Sequence, residues 1–385
     1  MAVFLFVAGI TGTVIAFSPE LDAWLNPDLL VVASRGEPLT PSTLVSKVEH
    51  ALPGAKVFYL PLDMKPGEAA VVSVTGKDYD QVFVDPVTGK VLGHRHWGAC
   101  CFAPEHIIPF LYLTHYSLSA PGTWGIVLMG IVSLIWALDC FVGFMLTLPR
   151  GAPFWPKWRP SWWVKTGVSA HRLNVDMHRA AGLWLWIVLF VVALTGVGLN
   201  LPDQVLRPLV GVFSPLKPTA IELAAPRFQE HPKPAALGFD DAVARARAEA
   251  HGPFAPVGVL YYANYNAYGV GFSAPGGNAR DGMGASWIYL DDKTGKVLSA
   301  DRVGQGSAGD VFMQAQYPLH SGRIVGLTGR IVVSVSGLAV AMLSVTGVLI
   351  WLKKRAAKKV HKERSRAREL LQDHAAGGIA GAEGA

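Results

Sequence analysis

Four apolar stretches set apart by long polar ones constrain this chain more than any other feature. Residues 1–18, 124–148, 181–201 and 325–352 read as membrane-spanning helices, against the roughly 20 apolar residues needed to cross a bilayer core. The first is the shortest. No Lys or Arg precedes it and Ala16-Phe17-Ser18-Pro19 fits a cleavage site badly, so it reads as a span rather than a removable signal. Between the spans lie 19–123, 149–180 and 202–324, and a tail occupies 353–385. With 51% hydrophobic and only 16% charged residues, the chain is too apolar for an ordinary soluble domain.

The placement of basic residues predicts an orientation. Segment 149–180 carries six Lys/Arg (Arg150, Lys157, Arg159, Lys165, Arg172, Arg179) against Asp176 alone, and the tail from Lys353 to Arg368 carries nine against Glu363. Segment 18–123 has seven basic and eleven acidic residues, and 202–324 has eleven of each. Because Lys and Arg are retained on the cytoplasmic side, both termini are expected inside and both long segments outside. That is the multi-pass topology of a bacterial inner (cytoplasmic) membrane protein with two large periplasmic segments. A basic tail beside a span is a topology signal that also meets anionic lipid of the bilayer, and the net charge of +6 is no sign of nucleic acid binding.

Two echoes suggest a tandem repeat. Leu5-Phe6-Val7-Ala8-Gly9-Ile10-Thr11-Gly12 matches Leu189-Phe190-Val191-Val192-Ala193-Leu194-Thr195-Gly196 at five of eight positions, and Thr88-Gly89-Lys90-Val91-Leu92 recurs as Thr294-Gly295-Lys296-Val297-Leu298. The predicted unit is helix, outer domain, helix, used twice. Each outer domain is expected to be a small α+β unit: a helix over Pro41 to Leu52 or Asp240 to His251, capped by Thr40 or Ser42 and by Asp240, then strands over 57–60, 69–75, 81–85 and 256–272.

Among twelve histidines, His115, His178 and His320 stand next to spans, where ionisable groups are costly and so are candidates for function, the alternative being a histidine merely hydrogen-bonded at the interface. His115 plus the 206-residue offset of the second echo falls at 321, one position from His320, so the two are equivalent in the two copies. Paired imidazoles on symmetry-related helices are what bis-histidine ligation of a haem requires. His178 lies eleven residues before Leu189, so its counterpart would fall upstream of Met1, and the first span is read as N-terminally truncated. His171, seven residues before His178, is an alternative inner ligand. Arg179, Arg323 and Arg330, with Arg172, are available cations for haem propionates.

Other features stay open. His94, His96, Cys100, Cys101, Glu105 and His106 form a cluster that fits either a metal or ordinary loop packing, in a spacing that matches no standard zinc site. Asp139 in the second span fits a proton or quinol role, or pairing with an Arg. Tyr261, Tyr262, Tyr265 and Tyr268 read as a ligand platform or an amphipathic strand. The glycines of 271–284 do not link a strand to a helix as a dinucleotide site requires, so no flavin or NAD site is expected.

The whole plan resembles the PepSY-associated transmembrane family. The resemblance is carried by the doubled helix, domain, helix order, the Asp-x-x-Thr-Gly-Lys-Val-Leu outer strands, Asp176-Met177-His178-Arg179-Ala180-Ala181-Gly182-Leu183-Trp184, and Trp136-Ala137-Leu138-Asp139-Cys140-Phe141-Val142-Gly143-Phe144. Cys100-Cys101-Phe102 and His115-Tyr116-Ser117-Leu118 are similar to the iron-regulated, FoxB-type ferric-siderophore reductase branch. The resemblance implies one or two b-type haems held by His115, His178 and His320. It implies a ferric siderophore as electron acceptor; because no flavin or nicotinamide domain is visible in the sequence, a membrane quinol or separate reductase is the expected donor. Two other readings are an outer-domain protein that restrains a periplasmic partner without redox chemistry, and a haem conduit to another periplasmic protein.

Overall fold

The computed structural model describes residues 1–274 and 280–382, with side chains up to residue 365. Residues 275–279 of the glycine-rich stretch, and 383–385 of the tail, lie outside the described residues. Helix α1 (Ala2–Ile15) is followed by α2 (Ser18–Leu25), and the pair is bent by 70° where Pro19 enters the first turn of α2. After a first polar segment come α3 (Pro41–Ala51), strands β1 (Lys56–Pro61), β2 (Ala70–Thr75), β3 (Gln81–Val84) and β4 (Val91–Arg95), and α4 (Pro104–Ser117). Helix α5 (Trp124–Thr147) is one unbroken helix of 24 residues, apolar but for Ser133, Asp139 and Thr147. Helices α6 (Ala170–Trp184) and α7 (Trp186–Asn200) meet at a 71° bend. The second polar segment supplies α8 (Phe239–Glu249), β5 (Ala255–Tyr262), β6 (Ala267–Ser273), β7 (Ser286–Asp291), β8 (Val297–Asp301) and α9 (Gln316–His320). Helix α10 (Gly326–Ala382) ends the described chain.

Among the described residues two helices are long and apolar enough to cross a membrane, or up to four if each bent pair counts as one span. Three expectations are corrected here. The span expected over 181–201 starts earlier, because α6 already begins at Ala170 under the Ser169 cap, inside the segment expected to be a loop. The tail from Lys353 is no separate unit but the continuation of α10: its Lys, Arg and Ala residues are all good helix formers. The two outer domains are not separate either.

The eight strands among the described residues form one antiparallel sheet in the order β4-β3-β2-β1-β5-β6-β7-β8. The halves join at β1 and β5, where Tyr59 faces Leu260, Leu60 faces Val259 and Pro61 faces Gly258. Alternation places Leu60, Val72, Val82, Val259, Val270, Ile288 and Leu290 on one face, under Leu44 and Val48 of α3 and Phe239, Ala242 and Ala246 of α8. Each such buried aliphatic side chain contributes about 1.5–3 kcal/mol. The helix starts are tied across the join. Thr40 caps α3 as expected, but Asp240 does not cap its own helix: it accepts from the Ser42 N–H and the Thr40 hydroxyl, while Ser42 Oγ accepts from the Asp240 N–H.

The repeated Asp-x-x-Thr-Gly-Lys element is a hairpin turn. Asp85 Oδ1 accepts from the Val87 and Thr88 N–H groups, and Asp291 Oδ1 from Lys293 and Thr294. Gly89 (φ 75°) and Gly295 (φ 70°) supply the left-handed residue that closes it. Burial raises both carboxyls, but hydrogen bonds from Ser34 and the turn at Asp85, and from Arg227 and the turn at Asp291, outweigh it and hold both below the usual range. The run expected as one strand over 256–272 is two, because Asn266 turns the chain at φ 48°. Its tyrosines are structural: Tyr261 stacks on Tyr268 at 4.6 Å, their hydroxyls donating to Asp292 and to the Leu237 carbonyl.

In the bundle α1 lies against α10 at backbone contact. A Cβ on Gly9 would stand 2.5 Å from the Gly337 carbonyl oxygen, and the Thr13 hydroxyl donates to the Ser334 carbonyl. Gly9→Val is therefore expected to cost about 1–3 kcal/mol by overpacking. Thermal unfolding in detergent checks this against Gly211→Ala, where an added Cβ meets nothing within 4 Å.

Candidate functional site

Helix α4 ends in the bundle with His115 in its last turn, and α9 does the same with His320. Their rings face each other with centroids 6.0 Å apart and planes inclined by 60°. Each imidazole sits on a Thr-Gly step of a spanning helix. His115 Nδ1 is 3.0 Å from the Ala8 carbonyl oxygen and 3.1 Å from Thr11 Oγ1; His320 Nδ1 is 3.2 Å from the Val192 carbonyl oxygen and 3.0 Å from Thr195 Oγ1. A carbonyl only accepts, so Nδ1 carries the proton on both rings and both Nε2 lone pairs are free. The threonine hydroxyls donate to their own helices, Thr11 to Val7 and Thr195 to Val191, and turn a lone pair to the imidazole.

The glycine after the first threonine makes room for the ring: a Cβ on Gly12 would meet His115 Cε1 at 2.9 Å, whereas a Cβ on Gly196 would press on Ser133 Oγ at 2.9 Å and stand in ordinary contact with His320 Cε1 at 3.6 Å. The rings border a cavity of about 280 Å³ with mostly apolar walls, which also takes in Tyr112, Tyr116, Trp136, Tyr317 and Arg323. Tyr112 and Tyr317 stand three residues before the two histidines, and both line the cavity.

The same seat occurs a third time. His178 Nδ1 is 2.9 Å from Thr346 Oγ1, which donates to the Met342 carbonyl, and a Cβ on Gly347 would meet His178 Cε1 at 3.2 Å. Asn174 donates to the Thr346 carbonyl and steadies α6 against α10.

The other expected site residues are placed unevenly. Arg323 lines the cavity, with one guanidinium nitrogen bonded to the Arg280 carbonyl and Asp281 at 3.8 Å. Arg330 does not line it. It is buried in the angle between α1 and α2, bonded to the Ala16 carbonyl and Glu20 and lying over the Phe17 ring, so it holds the bend. Arg179 and Arg172 both bind the buried carboxylate of Asp176, which spends their charge inside α6. His171 is exposed in the first turn of α6. Asp139 is exposed on α5.

The loop cluster does not converge. His94 stacks on Tyr79, His96 approaches Asp80 at 3.6 Å, Cys100 and Cys101 are joined to each other, and no group of three or more His, Cys, Asp or Glu among the described residues could hold a metal ion. Sequence reasoning missed the three threonines, although Thr11-Gly12 and Thr195-Gly196 are identical positions in the matched spans. It also missed the shared Tyr-x-x-His spacing of Tyr112 and Tyr317.

A bundle of apolar helices carrying one antiparallel sheet, with two imidazoles facing across a cavity between the helices, defines a multi-span membrane protein. The chain belongs to the family of the PepSY-associated TM region, whose model matches residues 1–354. No curated protein matches it.

Proposed function

We propose that this protein is a tandem-repeat inner-membrane b-type haem protein that passes electrons across the bilayer to a ferric siderophore in the periplasm, releasing Fe(II) for uptake. The observation that carries this reading is the His115 and His320 pair. The ring centroids lie 6.0 Å apart and the Nδ1 contacts leave both Nε2 atoms free, so His115 and His320 would hold a haem iron. Each Nδ1–H is held by a backbone carbonyl, the usual support of a metal-binding histidine. Gly12 and Gly196 line the cavity beside the rings, and Arg323 at its wall would pair the propionates of a bound haem.

A haem supplies reversible one-electron chemistry when bound. The residues of the chain orient the imidazoles, exclude water through the apolar walls of the cavity, and pair the charge of the propionates. No proton-transfer base or nucleophile is required, since the acceptor releases its metal by taking one electron: hard oxygen chelators hold Fe(III) far more tightly than Fe(II). The His178 seat on α6 and α10 is the proposed second site, nearer the basic segments taken as cytoplasmic, and the donor is a membrane quinol or a separate reductase.

A reduced-minus-oxidised absorption spectrum with pyridine-haemochrome quantitation on the detergent-purified protein tests the proposal. Signal from b-type haem is the expected result. A purified, folded protein without haem after expression in haem-replete cells would overturn it.

A further inference from the structure

We propose that Cys100 and Cys101 form a thiol–disulfide exchange site that is reduced by a dithiol protein, an activity separate from the haem reading and independent of it. The two cysteines are bonded to each other in the loop between β4 and α4. They are adjacent in sequence, and the stabilisation a disulfide gives by restraining the unfolded chain grows with the length of the loop it closes. This one closes no intervening residue, so it cannot serve as a staple. It is also reachable: Cys100 is exposed and Cys101 half-buried. Exposed disulfides are the labile, exchangeable ones. Cys140, the third cysteine, stands on the spanning helix α5 as a free thiol and offers no alternative structural pairing in this loop.

The surroundings say what kind of reductant fits. Phe102, next to the pair, is 93% exposed, an apolar foothold for the hydrophobic rim that surrounds the reactive thiol of a protein reductant. The inner edge of the loop is fixed to the bundle: Trp97 packs on Tyr112 at 5.6 Å and on Tyr116 at 6.4 Å, and Pro104 opens α4 three residues after Cys101. Exchange therefore takes place at the root of the helix that carries His115.

The chemistry balances with the donor dithiol alone. A donor thiolate attacks Sγ of the exposed Cys100, the Cys100–Cys101 bond breaks, and Cys101 leaves as a thiolate that takes a proton. The second donor thiolate then attacks the mixed disulfide and releases Cys100 as a thiolate, which is protonated in turn. The donor is oxidised by two electrons to its own disulfide and the pair is reduced to two thiols.

The test uses the full chain in detergent with Cys140→Ala, so that only the pair is counted. The folded protein is equilibrated with graded ratios of reduced to oxidised dithiothreitol, tagged with a maleimide and mapped by peptide mass. The tag count on the Cys100–Cys101 peptide is expected to rise from none to two and to return to none on reoxidation. With the pair intact and a thioredoxin-type protein whose second, resolving cysteine is replaced by Ser, a mixed disulfide through Cys100 is expected to accumulate, because the step that releases Cys100 is then missing. Phe102→Ser is expected to slow reduction by the unmodified thioredoxin-type protein several-fold while leaving reduction by dithiothreitol unchanged. A pair that is tagged only after denaturation, or that stays as two thiols under oxidant, overturns the exchange site. Equal rates for Phe102→Ser and the parent with the protein reductant overturn the choice of partner. None of these readouts depends on haem.

Discussion

His115→Ala and His320→Ala are each expected to abolish the haem bound between α4 and α9 while leaving the protein inserted and folded. The fold survives because neither ring is a structural partner that others depend on: the Thr11 hydroxyl keeps its 2.7 Å bond to the Val7 carbonyl, and Thr195 keeps its bond to Val191. No buried polar group is orphaned, and the cavity already adjoins the vacated space. A graded effect is expected one step out. Thr11→Val removes an acceptor that orients the Nδ1–H without touching Nε2, and loss of such a supporting partner typically lowers metal affinity by about 10–100-fold. The measurement is haem per chain by pyridine haemochrome, with far-UV circular dichroism as the folding control. Full haem content in both alanine variants would sink the assignment of these ligands. Loss confined to His178→Ala would move the haem to the α6 and α10 seat.

How much of this could be seen beforehand depends on range. The apolar stretches, the Asp-x-x-Thr-Gly-Lys turns and the equivalence of His115 with His320 are local patterns, and the chain keeps them within short windows. The joining of two halves into one sheet was not legible, because β1 and β5 meet through a pairing of residues about 200 apart, and either strand edge could equally have been left to solvent. The two bends were hidden for a different reason. Leu185 sits within an unbroken apolar run, and hydropathy measures length in the membrane but not direction. Arg330 looked available for a cofactor only because Ala16 and Glu20, which occupy it, lie more than 300 positions away. The threonine seats were in plain view as identical residues, but a Thr-Gly pair in an apolar helix says nothing until a histidine from another helix is known to rest on it.

Arg95→Met is expected to destabilise the protein by roughly 3–5 kcal/mol, the loss found when one partner of a buried ion pair is removed. Arg95 at the end of β4 makes two bonds to Asp22 of α2, at 3.0 and 2.8 Å, and the side chains are only 5% and 12% exposed. The same guanidinium bonds Gln81 Oε1 at 2.7 Å and the Glu105 carbonyl at 3.0 Å, and lies over the Phe83 ring. Asn26 closes the arrangement from α2, donating to Asp22 and to the Pro104 carbonyl. Edge strand, α2 and the start of α4 are thus held by one cation, and removing it leaves a carboxylate without its counter-charge in a water-poor joint. The double variant Arg95→Met with Asp22→Leu removes both charges, and much of the stability is expected to return. Thermal unfolding in detergent, followed by a proteolysis site between β4 and α4, separates the cases: the single variant should be cut there well below its global unfolding temperature. If single and double variants unfold alike, the joint is held by packing and not by the pair. Since α4 carries His115, haem content in the single variant should fall with the joint and recover in the double, which makes the sheet a determinant of how firmly the imidazole is presented to the bundle.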